Sequence, residues 1–415
     1  MPNNKNLILF VVASAAVFGL LTTASPAFAG SSEKVLYSFC PVSGCADGND
    51  PQSNIVFDPA GNLYGTTYVG GAYHRGVVFE LIHNNGKWTE KVLHTFTPSL
   101  KLGRLPNALI RDAAGNLYGT TFQGGIDSCP GYPGCGTVFE LTPGTNGEWT
   151  LTVLHRFNGK DGFEPSFAGL ILDNAGNLYG TTEAGGPYSH GTVYELIPNN
   201  GRWTEKILYS FCSPSGCAAG FPAGGVIFDG AGNLYGTTEY GGAHNEGTVF
   251  ELIPNNGKWT PKLLHSFNRN GTDGAYPVGS LTLDKSGSLY GTTLYGGTSD
   301  YGTAFQLTTN SGKWTEKVLH SFNVTNGASP VAGLTLSQTG KLYGTTTQGG
   351  THSGGTVFQL ILSNGAWAEK ILHNFGMGVD GYGPNSLMPD KGGNLYGTSG
   401  GGGAYGRGTV FEITP

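Results

Sequence analysis

Charged side chains are scarce in this sequence. Only 12% of its 415 residues are Asp, Glu, Lys or Arg, and the net charge is −6; soluble domains usually carry about 25% charged residues. A chain with so little positive charge does not suit nucleic acids or anionic lipid surfaces, so we expect neither as a partner. Disorder is excluded as well, because 38% of the residues are hydrophobic and 12% are aromatic, enough to build a core.

Strong helix patterns are missing, and glycine is in excess. The chain contains 71 glycines, and each costs about 1 kcal/mol in a helix interior. This composition excludes a helical bundle. Short β-prone segments separated by turn residues favour an all-β protein instead.

No apolar run is long enough to span a membrane. The longest, residues 7–21, has about 15 residues against about 20 needed. Lys5 precedes this run and Ala27-Phe28-Ala29 follows it, the arrangement of a Sec-type export signal with its cleavage site. We therefore predict a signal peptide at residues 1–29 and a secreted or periplasmic protein without a membrane span after cleavage. A retained N-terminal anchor is the alternative.

Cysteine is rare, but all six residues lie beyond the predicted signal in three close couples. An even number in an exported chain indicates disulfides. The alternative, a metal site, requires CxxC-like spacing with further ligands nearby, which the sequence lacks. We expect the pairs Cys40–Cys45, Cys129–Cys135 and Cys212–Cys217, and no metal.

What the sequence does contain is one unit repeated seven times. The string Leu-Tyr-Gly-Thr recurs at intervals of 53 to 61 residues. The repeats centre on Leu63, Leu117, Leu178, Leu234, Leu289, Leu342 and Leu395. Each holds four β-prone segments, which in the third copy are residues 169–173, 178–182, 192–196 and 203–211. Such a unit can bury both its faces only by packing radially, as in a propeller.

The last repeat lacks its fourth segment, and the missing segment stands at the other end of the chain. Residues 33–39 read Glu-Lys-Val-Leu-Tyr-Ser-Phe and match residues 90–96, Glu-Lys-Val-Leu-His-Thr-Phe. An open solenoid would have no reason to divide one repeat between its ends. We predict one seven-bladed β-propeller over residues 30–415, with four-stranded blades and a ring closed by the N-terminal strand.

The repeat consensus resembles a known family. The pattern Asp-x-x-Gly-Asn-Leu-Tyr-Gly-Thr-Thr-x-x-Gly-Gly, followed by Gly-Thr-Val-Phe-Glu-Leu, is similar to the GloVer tandem-repeat family of bacterial exported proteins. The resemblance implies β-propeller-like repeats without a known biochemical activity. Many members carry a C-terminal surface anchor. Residues 411–415 are not a hydrophobic tail, so we do not expect surface attachment.

One face of the predicted ring collects the irregular loops, those between the second and third strands and those leading into each first strand. Function usually resides on loops carried by a rigid scaffold. Aromatic and histidine side chains there suit a glycan or protein ligand; the alternative is that they only fill space between loops. The candidate ligand-binding residues are Tyr73, His74, Tyr132, Phe163, Tyr188, His190, Phe221, His244, Tyr276, Tyr301, His352, Tyr382 and Tyr405.

Two residue types that recur in the repeats can be explained by structural roles alone. The Asp that opens each Asp-x-x-Gly-Asn turn could bind calcium but more often caps its own turn. The histidines at 94, 155, 265, 320 and 373 fall one per fourth strand, so they are spread around the rim and cannot converge on a metal. We assign both sets to structure.

Catalytic signatures are few. The sequence has no G-x-S-x-G elbow and no Gly-rich phosphate loop opening a helix, and the inner-strand positions four residues before each turn Asp are uncharged. The acids available on the loops are Asp47, Asp50, Asp161, Glu164, Asp273 and Asp380. We predict a monomeric exported binding or scaffold module without a cofactor. The alternatives are a lactonase-like hydrolase or lyase using these loop acids, and a purely structural envelope component.

Overall fold

Seven antiparallel sheets of one design recur in the part of the chain that the structure describes; six have four strands, and in the third two short segments share the place of the first strand. The computed structural model describes residues 30–126, 129, 133–167, 169–212, 218–376 and 378–415. The predicted signal peptide, Tyr132 and Cys217 lie outside these residues. The sheets are arranged in a ring, so the prediction of a seven-bladed β-propeller with four-stranded blades is confirmed.

The blades are numbered along the chain, and their strands follow the order first to fourth. Blades 1 to 3 contain Val56–Phe57, Leu63–Thr67, Val77–Asn84 and Lys87–Thr95; Arg104–Arg111, Leu117–Gln123, Thr137–Pro143 and Trp149–Arg156; and Phe163–Pro165 with Ile171–Leu172, Leu178–Ala184, Thr192–Asn199 and Arg202–Ser210. Blades 4 and 5 contain Ile227–Phe228, Leu234–Thr238, Thr248–Asn255 and Lys258–Ser266; and Thr282–Leu283, Leu289–Thr293, Thr303–Asn310 and Lys313–Ser321.

Blades 6 and 7 complete the ring. They contain Thr335–Leu336, Leu342–Thr346, Thr356–Ser363 and Ala366–Asn374; and Tyr382–Pro389, Leu395–Gly401, Thr409–Thr414 and Ser32–Ser38. Blades 4 and 5 each also carry a separate two-stranded pair, Ala219–Gly220 with Tyr240–Gly241 and Gly274–Ala275 with Tyr295–Gly296. Leu100–Leu102 forms a 3-10 helix. No helix within the described ranges has the length and apolar composition to cross a membrane.

The N-terminal strand closes the last blade as predicted. Ser32–Ser38 lies antiparallel to Thr409–Thr414, with Ser32 opposite Thr414 and Ser38 opposite Thr409. Phe39, which follows the strand, is fully buried and donates its backbone N–H to Gly408 O at 3.0 Å. Every fourth strand is an outer edge, which explains why Pro261 is tolerated within one.

Apolar side chains fill each seam between neighbouring blades. Seven separate clusters are buried, and each combines residues of two adjacent blades. Between blades 1 and 2, for example, Tyr64 and Phe96 pack with Phe139. The cluster that contains Leu36 and Val410 joins blade 7 to blade 1. Each blade is therefore held by its two neighbours, and the closing strand contributes to the seventh seam.

Hydrogen bonds from the first threonine of the repeated Thr-Thr reinforce these seams near the inner strands. The hydroxyl donates to a backbone carbonyl of the next blade. The pairs are Thr66 with Asn107 O at 2.8 Å, Thr181 with Gly224 O at 3.0 Å, Thr237 with Gly279 O at 3.3 Å, Thr292 with Ala332 O at 2.8 Å and Thr398 with Ser53 O at 2.9 Å.

The repeated aspartate is a turn residue, as the sequence indicated. Asp58 Oδ1 accepts the backbone N–H of Asn62 at 2.9 Å, and its Oδ2 accepts the Asn62 side-chain amide at 2.8 Å. The Tyr64 hydroxyl donates to Glu80 at 2.8 Å and lies 3.3 Å from Asp58. Equivalent contacts recur at Asp112, Asp173, Asp229 and Asp390, so these carboxylates are occupied by their own turns and blades.

Two of the three predicted disulfides are present, Cys40–Cys45 and Cys129–Cys135. The third involves Cys217, outside the described residues. Structural disulfides persist in oxidising compartments, so the two observed bonds favour a location outside the cytoplasm.

Half-buried glutamates lie in the outer part of five seams. They are Glu33, Glu90, Glu205, Glu316 and Glu369, and each has one carboxylate oxygen that is buried without a hydrogen-bond partner among the described residues. Burial raises the pKa of Glu90 to about 8, with further repulsion from Asp47, and raises those of the other four to about 7. These side chains are therefore more readily protonated in the folded protein than in the unfolded chain.

Removing the buried anchor of the closing strand should weaken the whole ring. We expect Phe39→Ala to lower the free energy of unfolding by about 3–5 kcal/mol, since it empties a fully buried aromatic site. Urea unfolding measures the change. Val42→Ala, at a side chain 69% exposed, is the matched control and should shift stability by less than about 0.5 kcal/mol. Equal stabilities for the two variants would contradict the closure of the ring by this segment.

From the raised pKa values of the half-buried glutamates we predict that the free energy of unfolding falls as the pH rises. An acid whose pKa is raised on folding stabilises the protein at low pH, and this contribution is lost between its ordinary pKa of 4.5 and the folded value near 7–8. His94 and His320, whose pKa burial lowers to about 4, oppose this trend only below pH 6.5. The loss is therefore unopposed by these histidines from pH 6.5 to 8.

Glu90→Gln tests this trend, because glutamine keeps the size of the side chain and removes its titration. The fall in unfolding free energy above pH 6.5 should become shallower by at most about 1.4 kcal/mol per pH unit, and by less than that because Glu90 is partly solvated. Glu148→Gln, at an exposed turn, should leave the slope of the wild type. An unchanged slope in Glu90→Gln would refute the assignment. Denaturant titrations between pH 6 and 9 provide the data.

Candidate functional site

Each first strand is entered through a proline preceded by a residue in the left-handed region. These pre-proline residues are Asp50, Leu105, Glu164, Phe221, Tyr276, Ser329 and Gly383, with φ between 55° and 65°. Such a backbone is uncommon for residues other than glycine and is strained. A hydrogen bond to the preceding blade holds it, as from Asp50 N to Arg407 O at 3.0 Å and from Tyr276 N to Glu246 O at 2.8 Å.

A second set of seven residues follows the Thr-Thr pair at the end of each second strand, where Ser399 replaces the second threonine in blade 7. These post-threonine residues are Tyr68, Phe122, Glu183, Glu239, Leu294, Thr347 and Gly400. Their backbone joins the first set, as where Tyr68 N donates to Asp50 O at 2.9 Å. Tyr68 of blade 1 also lies 5.9 Å, between ring centroids, from Phe167 of blade 3. Rings from blades that are not neighbours meet only near the axis, so the two sets together surround the mouth of the central channel.

An aromatic ladder extends over blades 3 to 5 on this face. It consists of His190, Phe221, Tyr240, Tyr276 and Tyr295, whose successive ring centroids are 5.2, 5.6, 5.4 and 5.8 Å apart with edge-to-face geometry. Tyr240 and Tyr295 are 37% and 39% exposed. The ladder therefore offers a row of fixed rings to solvent.

Charged groups flank the ladder. The guanidinium of Arg269 lies 4.8 Å from the Tyr295 ring centroid and forms an ion pair with Asp300. Glu239 beside Tyr240 raises the pKa of its hydroxyl; burial, then Glu246, raises that of Tyr276. Both hydroxyls are therefore kept protonated and can donate hydrogen bonds.

Acidic side chains meet at the channel mouth beside the ladder. Burial raises the pKa of Glu183 to about 8, and repulsion from Glu164 and Glu239 adds to the shift. Asp50, Glu164 and Glu183 also contribute to a raised pKa of Tyr68, after burial. Glu183 is therefore largely a neutral carboxylic acid at pH 7, able to donate a proton or a hydrogen bond.

The structure brings together only some of the predicted ligand-binding residues. Phe221, Tyr276 and His190 lie in the ladder. Tyr73, Tyr188, Tyr301 and Tyr405 are 40–51% exposed on separate loops between second and third strands, and His74, His244 and His352 stand exposed on such loops. Tyr382, 43% exposed, borders a different cleft. Phe163 packs against the core between blades 2 and 3, and Tyr132 lies outside the described residues.

The loop acids separate into two groups. Asp47 bonds to Tyr37 at 2.8 Å, and Asp161, Asp273 and Asp380 bond to His155, His265 and His373 at 3.2–3.3 Å. These partners belong to fourth strands, so the four aspartates lie toward the rim. Only Asp50 and Glu164 of the six predicted acids reach the channel mouth. The repeated histidines pack edge-on against the phenylalanine two residues later, with centroids 4.6–4.9 Å apart.

Sequence reasoning missed Glu183, Glu239, Tyr240 and Tyr295. A usable signal was present, because Glu183 and Glu239 directly follow the Thr-Thr pair. Blades 3 and 4 share glutamate at this position, and each of the other five blades carries a different residue there. Within the described ranges, no group of three or more His, Cys, Asp or Glu side chains could hold a metal ion.

Solved structures share the architecture. A candidate 6-phosphogluconolactonase from Bacteroides uniformis has 14% sequence identity and a TM-score of 0.50, over 77% of this chain and 84% of that one. A fungal alcohol oxidase in complex with copper has 14% identity and a TM-score of 0.53, over 89% of this chain and 74% of that one. Identities this low show a common propeller fold alone. Among curated proteins, no sequence matches the chain.

The family comparison agrees with the repeat consensus. The model described as the Gloeobacter/Verrucomicrobia repeat matches residues 128–338 and 311–415, which is more than half of the chain. The match includes the third to seventh copies of the Leu-Tyr-Gly-Thr unit and confirms the resemblance drawn from that consensus. The chain thus belongs to the Gloeobacter/Verrucomicrobia repeat family.

Proposed function

We propose that the protein is an exported carbohydrate-binding module that takes a glycan along the aromatic ladder. The observation that carries the proposal is the continuous row from Phe221 to Tyr295, part-exposed and fixed by edge-to-face contacts. Tyrosine offers an apolar ring to the C–H face of a sugar and a hydroxyl to its polar edge. The module comprises residues 30–415 after removal of residues 1–29, and its place is the periplasm or the extracellular medium.

The chemistry of the ladder favours a glycan over a protein. A stable protein interface involves about 20–30 residues on each side. The ladder is instead a single row of five rings, flanked by the carboxylates Glu239 and Glu246 and the ion pair of Arg269 with Asp300. This alternation of ring faces and hydrogen-bonding groups suits a polyhydroxylated chain better than it suits the aliphatic patch of a protein partner.

A glycan array with the mature protein identifies the ligand, and calorimetry with the oligosaccharide found there tests the ladder. Tyr276→Ala should weaken binding about tenfold or more, corresponding to at least about 1.4 kcal/mol, because it removes the central ring. Tyr405→Ala, at an exposed tyrosine outside the ladder, should bind as the wild type does. Equal losses in both variants, or an array without any ligand, would overturn the proposal.

A hydrolase or lyase remains the second candidate, because Glu183 combines a raised pKa with two neighbouring carboxylates. Perturbed acids in a cleft are candidates for general acid catalysis. Activity on a panel of lactones and aryl glycosides should then fall as the pH rises through about 8. Glu183→Gln should reduce the rate at pH 7 by about 10²-fold or more. A variant that folds and keeps full turnover would exclude Glu183 as the acid.

A further inference from the structure

The channel mouth has a gap at blade 7. This blade carries glycine at both sets of positions, Gly383 before the proline and Gly400 after the Thr-Ser pair. The other six blades carry a side chain at each position. A Cβ on Gly383 would meet no atom within 4 Å, whereas one on Gly400 would lie 2.9 Å from Asp50 Oδ1. Gly383 therefore leaves space open that side chains fill elsewhere in the ring, and Gly400 leaves room for the Asp50 carboxylate.

A cleft of about 530 Å³ occupies this gap, between blades 6, 7 and 1. The volume lies within the range of about 300–1,000 Å³ typical of small-molecule sites. The cleft is separate from the ladder, which occupies blades 3 to 5. The side chains that supply its chemistry are Asn49, Asp50, Gln52, Tyr382, Asn385 and Arg407.

The polar groups of the cleft are held in place before any ligand arrives. Gln52 Nε2 donates to both carboxylate oxygens of Asp50, at 3.0 and 2.9 Å. Asp50 is itself fixed through its backbone N–H to Arg407 O at 3.0 Å. Asn385 donates to Pro51 O at 3.3 Å, and the Asn49 backbone pairs with Val69. Fixed donors and acceptors reduce the ordering cost of binding.

One wall of the cleft is aromatic. Tyr382 lies opposite Gly401 in the sheet, and any side chain at Gly401 would clash with the tyrosine ring. The ring therefore lies directly on the backbone, with 43% of the side chain exposed. An apolar ring facing amide and carboxylate groups suits a ligand with one C–H face and an edge of hydroxyls.

The charges of the cleft favour a neutral ligand. Asp50 and Arg407 contribute one charge of each sign, so phosphate and ammonium groups would each meet a like charge. A side-chain amide both donates and accepts hydrogen bonds, and an ionised carboxylate accepts them, so together these groups can bind neighbouring hydroxyls. We infer that this cleft is a second ligand site, which holds a single neutral pyranose with its hydroxyls on Asp50, Gln52 and Asn385 and its C–H face on Tyr382.

The repeats themselves provide the variant that tests the site. Blade 5 carries Tyr276 at the position of Gly383, with φ of 56° against 65°, so Gly383→Tyr fills the cleft in a backbone that already accepts tyrosine. Leu105→Tyr makes the same replacement in blade 2 and is the matched control. Both variants should have the unfolding temperature of the wild type to within a few degrees. A loss of about 1 kcal/mol in unfolding free energy would lower this temperature by ~2–4 °C or less.

Saturation-transfer NMR with glucose, galactose, mannose and xylose at millimolar concentration measures binding. Every protein in this test carries Tyr276→Ala, which removes the central ring of the ladder. We expect at least one of these sugars to receive saturation from this parent protein and from its Leu105→Tyr variant, and none from its Gly383→Tyr variant. Gln52→Leu in the same parent, which leaves the space open, should weaken the same sugar about tenfold. Absence of a signal with the parent protein, or equal signals with its Gly383→Tyr variant, would overturn the inference.

Because the parent protein lacks the central ring of the ladder, a result for the cleft stands whether or not the ladder binds glycans. A hexasaccharide ending in the sugar identified distinguishes two sources of the pyranose. A gain in affinity of about tenfold or more over the monosaccharide, retained in Tyr276→Ala and lost in Gly383→Tyr, assigns the cleft to the end of a glycan chain. Equal affinities assign it to free monosaccharides.

Discussion

Each blade buries its two faces only against its neighbours, and this constraint governs the rest of the molecule. A single repeat unit cannot bury its apolar faces by itself, and here seven clusters cover all fourteen faces, with the last cluster joining Leu36 and Val410 to blade 1. Burial of apolar area is the main stabilising term in folding. The ring must therefore be complete for any seam to be fully covered, and the strand Ser32–Ser38 is required for that.

Some positions of the repeat hold the scaffold together, and others determine the surface at the channel mouth. The Leu, Tyr, Gly and Thr of the consensus fill seams and hold inter-blade hydrogen bonds, as where Thr66 donates to Asn107 O. The pre-proline and post-threonine positions are held by backbone hydrogen bonds, so their side chains can vary without altering the frame. Differences among the blades at these positions give the channel mouth an acidic part near Glu183, an aromatic part near Tyr276 and an open part at Gly383. One architecture thus supports several local chemistries.

Much of the architecture could be predicted because repetition amplifies weak signals. Seven copies of one turn identified Asp58 and its equivalents as capping residues, and the match of residues 33–39 to residues 90–96 indicated the closing strand. The connection between the third and fourth strands is less regular. In blade 1 it is the pair Asn85-Gly86, whereas in blade 2 it comprises residues 144–148, and the Gly144 N–H donates to Glu148 O at 2.7 Å.

The site was harder to predict, because which side chains meet depends on geometry that single residues do not reveal. Phe163 and Glu164 are neighbours, yet Phe163 packs in the core while Glu164 reaches the channel mouth. The left-handed backbone at Glu164 interrupts the simple alternation of strand faces on which pattern arguments depend. The raised pKa of Glu183 likewise results from blades 3 and 4 being brought together, which no local spacing encodes.

The pairing of Ser32–Ser38 with Thr409–Thr414 also sets the order of events during synthesis. A contact between the two ends of a domain has the largest sequence separation possible, and such contacts form slowly. Until blade 7 has been made, the first strand of the nascent chain has no partner, and blade 1 exposes the face that blade 7 will cover. Completion of the ring is thus a late step, because the partner of the N-terminal strand lies at the C-terminal end of the chain. Any factor that shields exposed strand edges would act on this intermediate.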